Sequence, residues 1–199
     1  IYIIGKTLQF VLPIVYFLTL KKIKIFKFTT NYTNHVIGIL SGIGILALIL
    51  LFYSSMLNFY IDPISIKFNL TTKLSKFGIN NLAKFIILSL FYSFIHSFLE
   101  EYYWRWSLYE HIKIIIKNNS ISNILGALCF TLHHMILIYV YIGKNMLIFI
   151  LCSLSVFIAG TLWNTFYEQY KTLYVSWISH VFADIAIFLV AANILFGNI

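Results

Sequence analysis

Charge is what this chain has least of. Asp, Glu, Lys and Arg make up 10% of it, against roughly 25% in a soluble globular domain, so a water-soluble fold is excluded. Acid is scarcer than base: six carboxylates face fourteen Lys and Arg, of which Arg105 is the single arginine, and the formal charge is +8. The lysines sit in short stretches between apolar runs, not in a basic tail or groove. The excess therefore reads as attraction to anionic lipid headgroups, with no nucleic-acid partner. Cysteine is nearly absent too. Cys129 and Cys152 lie inside apolar runs without CxxC or the Cys/His spacing of a zinc ribbon, and read as free buried thiols.

What fills the chain is hydrocarbon: 61% of residues are hydrophobic and the mean hydropathy is +0.90. A spanning helix takes roughly 20 apolar residues, and lipid requires each backbone amide to be satisfied within its own segment, which favours helices over barrel strands for runs this long. The expected fold is an all-α polytopic membrane protein, about six transmembrane helices in one bundle, with residues 1–199 forming a single membrane domain. The chain begins at Ile1 and not Met, which leaves room for a preceding segment. Lys6 precedes an apolar run without a small-residue cleavage site, so residues 2–20 read as a membrane helix with Pro13 tolerated, not as a signal peptide.

The second span falls at about 36–60, where Gly38-x-x-x-Gly42 offers a close-packing face. Residues 61–79 interleave lysine with apolar residues and read as an interfacial segment, with Asp62 before Pro63 as a turn residue. Asn80-Asn81 caps a third span that passes through Glu100-Glu101 and ends near 106–112. The fourth lies within 119–142, a tight turn follows at Gly143-Lys144-Asn145, the fifth covers about 146–163, residues 164–171 form a loop, and the sixth runs from about 173 to 196. The lysines of 21–27, Arg105, Lys113, Lys117 and Lys171 fall on one side; Lys67, Lys73, Lys76, Lys84 and Lys144 fall on the other. The positive-inside rule places the 21–27 loop in the cytoplasm.

Against this background a few polar residues stand out, because ionisable groups at membrane depth are costly and face a protein interior or a functional cavity. Glu101 and Arg105 are helical neighbours four residues apart with the acid first, the favourable order for an ion pair, while Glu100 points elsewhere. His133 and His134 sit mid-span in a run without formal charge. His180 and Asp184 share a helical face. His96 lies one turn before Glu100 and reaches the same face. His35 and His111 read as surface residues, and Glu110 and Glu168 as solvated loop charges. A bundle can bring Glu, His and Asp from three spans together in its core. Such a set suits water activation, with a carboxylate as base and imidazoles as proton carriers or oxyanion donors, and it is also a metal-binding set.

Three motifs occur in order, each in its own span: Glu-Glu-x-x-x-Arg at 100–105, Phe-x-x-x-His at 130–134 and His-x-x-x-Asp at 180–184. Together they resemble the CPBP family, which comprises CaaX-processing type II prenyl endopeptidases and bacterial bacteriocin-processing and self-immunity membrane proteases. The resemblance covers about residues 80–190. It implies an intramembrane endopeptidase in which Glu100 and His134 hold and activate water, and His180 and Asp184 serve the oxyanion. Glu101 and Arg105 would form the supporting pair. Because an ionised Asp cannot donate a hydrogen bond, orienting His180 suits Asp184 better. The resemblance favours a cofactor-free mechanism, with a divalent metal such as zinc, held by Glu100, His134 and His180, as the alternative. It further implies an integral protein of the cytoplasmic membrane of a bacterium, acting on a peptide or lipid-modified protein. A prenylated CaaX protein, a bacteriocin leader and a quorum-sensing precursor all remain open as substrates. Two other classes compete: a non-proteolytic peptide-binding or immunity membrane protein, and a small proton-coupled transporter, which lacks evident inverted repeats or Gly/Pro-broken spans.

Overall fold

Where side chains offer the backbone no water, each apolar run closes its own hydrogen bonds, and the chain is helical from run to run. The computed structural model describes residues 31–56, 63–142 and 145–197, together with Thr7, Phe10, Val11, Pro13, Val15 and Phe28. Its helices are α1 (Tyr32–Met56), α2 (Pro63–Lys76), α3 (Leu82–Ile116), α4 (Asn119–Ile142), α5 (Met146–Tyr170) and α6 (Tyr174–Phe196). Five of them, all except α2, are long and apolar enough to cross a membrane. Most of the expected first span and the whole 21–27 loop lie outside the described residues, as do Asp62, Gly143 and Lys144; Thr7, Phe10, Val11, Pro13 and Val15 are helical.

The expected cap of α3 forms, and Asn145, read from the sequence as part of a tight turn, caps α5 as well. The Asn81 side chain accepts from the Lys84 N–H at 2.9 Å and opens α3, and Asn145 accepts from the Ile148 N–H at 3.2 Å and opens α5. Pro63 supplies the first residue of α2, a position where its missing N–H costs nothing. At the other ends, Lys117 and Lys171 terminate α3 and α5 in the left-handed region, with φ of 55° and 52°. Glycine is the usual residue for that conformation.

Three expectations are corrected. First, α5 continues through residues 164–170, because Trp163, Asn164 and Tyr167 keep one helical face buried. Second, α3 extends to Ile116. At 35 residues it is about 52 Å long, well beyond a hydrocarbon core of about 30 Å. Arg105 is therefore no boundary charge: it is fully buried mid-helix and drops out of the loop-charge balance. Third, Glu168 and Glu110 are half-buried and paired. Glu168 holds Lys113 at 2.6 Å and Lys171 at 2.5 Å and accepts from the Tyr109 hydroxyl at 3.2 Å, while Glu110 lies 3.5 Å from Lys113. This cluster ties the end of α3 to the end of α5. Of the other polar residues, His35 is exposed beside the Tyr174 hydroxyl at 2.6 Å, and His111 is half-buried against the Ser107 carbonyl. Cys129 and Cys152 are free, and half-buried where full burial was expected.

Two helix pairs make the bundle. α1 packs along α6, α4 packs along α5, and α3 lies between the pairs. The Gly38-x-x-x-Gly42 face is what lets α1 approach α6: a Cβ on Gly42 would stand 2.6 Å from Cδ2 of Phe182, and one on Gly38 3.2 Å from Cβ of Ile178. On α5, Gly160 plays the same part against Ala127 and Phe130 of α4. Helices in lipid associate through such packing and not through hydrophobic exclusion. Gly42→Leu should therefore lower the stability of the detergent-solubilised protein by about 1–3 kcal/mol. Gly44→Leu, whose Cβ would meet nothing within 4 Å, should leave it unchanged, and thermal unfolding followed by tryptophan fluorescence checks both.

Candidate active site

The two glutamates sit near the middle of α3, in a five-residue α-helical stretch, Ser97–Glu101, set between two π-helical ones, Phe91–His96 and Tyr102–Tyr109. A π-turn carries one more residue per hydrogen-bonded ring than an α-turn and shifts the register of everything after it. It also leaves carbonyls in need of donors. Here the Ser97 hydroxyl donates to the Ser93 carbonyl, and the Trp177 indole N–H of α6 donates to the Phe94 carbonyl at 3.0 Å. The carboxylates that follow point to different neighbours.

Glu101 and Arg105 are both fully buried, with Arg105 Nη1 3.0 Å from Glu101 Oε1. The pair is close but poorly aligned: none of the three guanidinium nitrogens makes a well-directed hydrogen bond, and Glu101 Oε2 makes none either. The guanidinium lies instead over the rings of Phe130 at 4.5 Å and Trp163 at 5.2 Å, where ring quadrupoles attract a cation. Glu101 Oε1 has a second partner, His180 Nδ1 at 2.8 Å. A carboxylate only accepts, so His180 Nδ1 carries the proton. Trp163 fixes the plane of that imidazole by stacking on it at 4.2 Å and 20°, and is itself held by donating to the Ser179 hydroxyl at 3.0 Å.

Glu100 faces the other way, and imidazoles from three stretches of chain meet it. His96 Nε2 is 3.4 Å from Oε1, while His134 Nε2 and His180 Nε2 are 3.7 and 3.8 Å from Oε2. His134 Nδ1 lies 2.9 Å from the Phe130 carbonyl, which can only accept, so Nδ1 is the donor and Nε2 of the neutral ring offers its lone pair to Glu100's side. Asp184 Oδ1 approaches His180 Nε2 at 3.7 Å, the nitrogen that faces Glu100; the nitrogen behind is held by Glu101. His133 turns towards Trp104, with ring centroids 5.6 Å apart.

The cluster has an open edge and a closed wall. Side chains of His96, His134 and Asp184 are 18, 21 and 25% exposed, against 6% for Glu100 and zero for Glu101 and Arg105. The wall is Phe130, Trp163 and Trp104. All six residues singled out from the motifs thus lie in one neighbourhood. Sequence reasoning passed over Trp163 and noted Trp177 only as part of the Trp-Ile-Ser-His stretch, without a role for either. The π-turns left no signal. Among the described residues, no three His, Cys, Asp or Glu side chains form a group that would hold a metal ion, and no step below is routed through one.

Buried carboxylates met by imidazoles on apolar helices are the kind of site that a membrane-embedded hydrolase requires. The family model for type II CAAX prenyl endopeptidases, Rce1-like, matches residues 82–186, an interval that contains every motif residue. The chain belongs to that family, and with it to the CPBP intramembrane proteases. Comparison with curated proteins and with solved structures gives no match.

The two adjacent glutamates should fail differently when neutralised. Glu101→Gln strands the Arg105 guanidinium without its counter-charge and should cost about 3–5 kcal/mol. Glu100→Gln removes a carboxylate met by imidazoles at 3.4–3.8 Å and strands no fully buried guanidinium, so it should cost clearly less than Glu101→Gln. Thermal unfolding of the two variants side by side distinguishes them.

Proposed function

We propose that this protein is an intramembrane endopeptidase that cleaves a peptide bond with a water activated jointly by Glu100 and His134. The observation that carries the proposal is the meeting of Glu100 Oε2 with His134 Nε2 and His180 Nε2 at 3.7 and 3.8 Å, too long for direct hydrogen bonds and suited to a bridging water. Glu100 and the bare Nε2 of His134 are both acceptors, so one water donates a hydrogen to each and presents its lone pair outward. As the water oxygen bonds to the scissile carbonyl carbon, Glu100 takes the released proton. The carbonyl oxygen becomes an oxyanion. His180, ringed by Glu100, Glu101 and Asp184, acts as the imidazolium: Nδ1 donates to Glu101, and Nε2 donates to the oxyanion. When the tetrahedral intermediate collapses, the C–N bond breaks and the amine takes the proton from Glu100.

The supporting roles follow from the same contacts. Arg105 pairs with Glu101 in a closed wall, and Glu101 in turn holds His180 in position. Asp184, on the open edge, balances the imidazolium charge. The substrate is a peptide or lipid-modified protein that reaches the site from the bilayer. A prenylated CaaX-type segment is the first to try, because the family description names it.

The test uses purified protein in liposomes and a panel of three peptides: a prenylated CaaX-terminated peptide, the same peptide without the lipid, and a bacteriocin-type leader. The wild type should cleave at least one, and Glu100→Gln and His134→Ala should each lose about 10²–10⁴-fold in rate. Full cleavage by both variants would overturn the mechanism. Protection of cells from a bacteriocin that survives both substitutions would favour a peptide-binding immunity protein instead.

A further inference from the structure

The α2 helix takes no part in the site, and its chemistry points to the membrane surface. From Pro63 to Leu99 the chain has no acidic residue and four lysines, Lys67, Lys73, Lys76 and Lys84. α2 lies where α1 ends and α3 begins, at the end of the bundle, and packs against both α4 and α6. Its outward face starts with Ile64 and Phe68, 79 and 71% exposed. Two bulky apolar side chains one turn apart, turned away from the protein, belong in acyl chains.

At 3.6 residues per turn, Lys67 and Lys76 fall on opposite flanks of the Ile64–Phe68 stripe. That arrangement lets the apolar pair sink while the two ammonium groups rise to headgroup level. The other two lysines are committed to protein. Lys73 Nζ stands 4.0 Å from the centre of the Tyr141 ring on α4, and Lys84 Nζ donates to the Gly78 carbonyl at 2.8 Å and to Asn80 Oδ1 at 3.3 Å.

We propose that α2 is an anionic-phospholipid-binding helix in which Lys67 and Lys76 hold headgroup phosphates and Ile64 and Phe68 insert beside the acyl chains. Charge complementarity selects this occupant: a stretch with four cations and no anion meets negative headgroups without like-charge repulsion. The position gives the contact a consequence for the site, one that rests on the function proposed above. α4 and α6 each bring a histidine, His134 and His180, to Glu100 Oε2 but hardly touch each other. α2 packs against both, with Lys73 on Tyr141 as one anchor. Headgroups that fix α2 in the interface therefore help fix the separation of α4 from α6.

The binding itself is testable without a substrate. The full chain is placed in nanodiscs of phosphatidylcholine alone, or of phosphatidylcholine with phosphatidylglycerol, and amide hydrogen exchange is read over residues 63–76. Exchange should slow several-fold in the anionic discs. That difference should vanish in Lys67→Gln/Lys76→Gln and persist in Lys117→Gln, whose charge lies at the opposite end of α3. Equal exchange in both lipids would overturn the proposal, and so would a lipid effect that the double variant retains.

Discussion

The structure depends on how one buried guanidinium is kept company. Arg105 is inaccessible to water and sits in a helix surrounded by hydrocarbon, where an unpaired charge would be among the most expensive features of the chain. One oxygen of Glu101 answers it, and two aromatic faces complete the enclosure. Because that oxygen also accepts from His180, neutralising the arginine and aiming the imidazole are a single act. Helix α3 and helix α6 are thus joined by a bond whose stakes are electrostatic, at the level in the bundle where Glu100 meets His134. The order of events in sequence follows from this. Glu101 must face the wall, so its neighbour Glu100 faces away, towards the open edge.

Much of the fold was legible in composition and spacing because lipid imposes so few solutions. Runs without charge became spans, the Asn pair before α3 supplied its cap, and Gly38-x-x-x-Gly42 became a helix contact. Errors came from treating the first polar residues after an apolar run as loop. Asn164, Tyr167 and Glu168 continue α5 because the same face stays buried, and Glu168 is half-buried between Lys113 and Lys171. Arg105 was counted as a boundary charge for the same reason. Of the candidate site, the sequence carried the residue types and the helices that bear them. It carried no distances. It could not show that Glu101 reaches His180 Nδ1 while Asp184 approaches Nε2. The π-turns were invisible because Phe, Tyr and Ser suit α- and π-turns alike, and the difference is decided by tertiary donors such as the Trp177 indole.

Aromatic residues do two kinds of work that a hydropathy profile merges. Trp163 is a wall, a stacking plane for His180 and a weak partner for Arg105. Phe130 contributes a ring beneath the guanidinium and a backbone carbonyl that sets the tautomer of His134. Neither needs to react to shape the chemistry. The geometry they fix is the kind of preorganisation that costs nothing at the moment of bond breaking.

The distribution of charge has a further meaning. Three of the six acids, Glu100, Glu101 and Asp184, lie in the cluster, and no lysine among the described residues does. Among the described residues Arg105 is the only permanent cation in the cluster, so the site is a negative kernel in a medium of low permittivity that does little to mute it. An ammonium group is drawn inward by that field and a carboxylate is held off. The amino end and the carboxyl end of a peptide therefore meet that field with opposite signs.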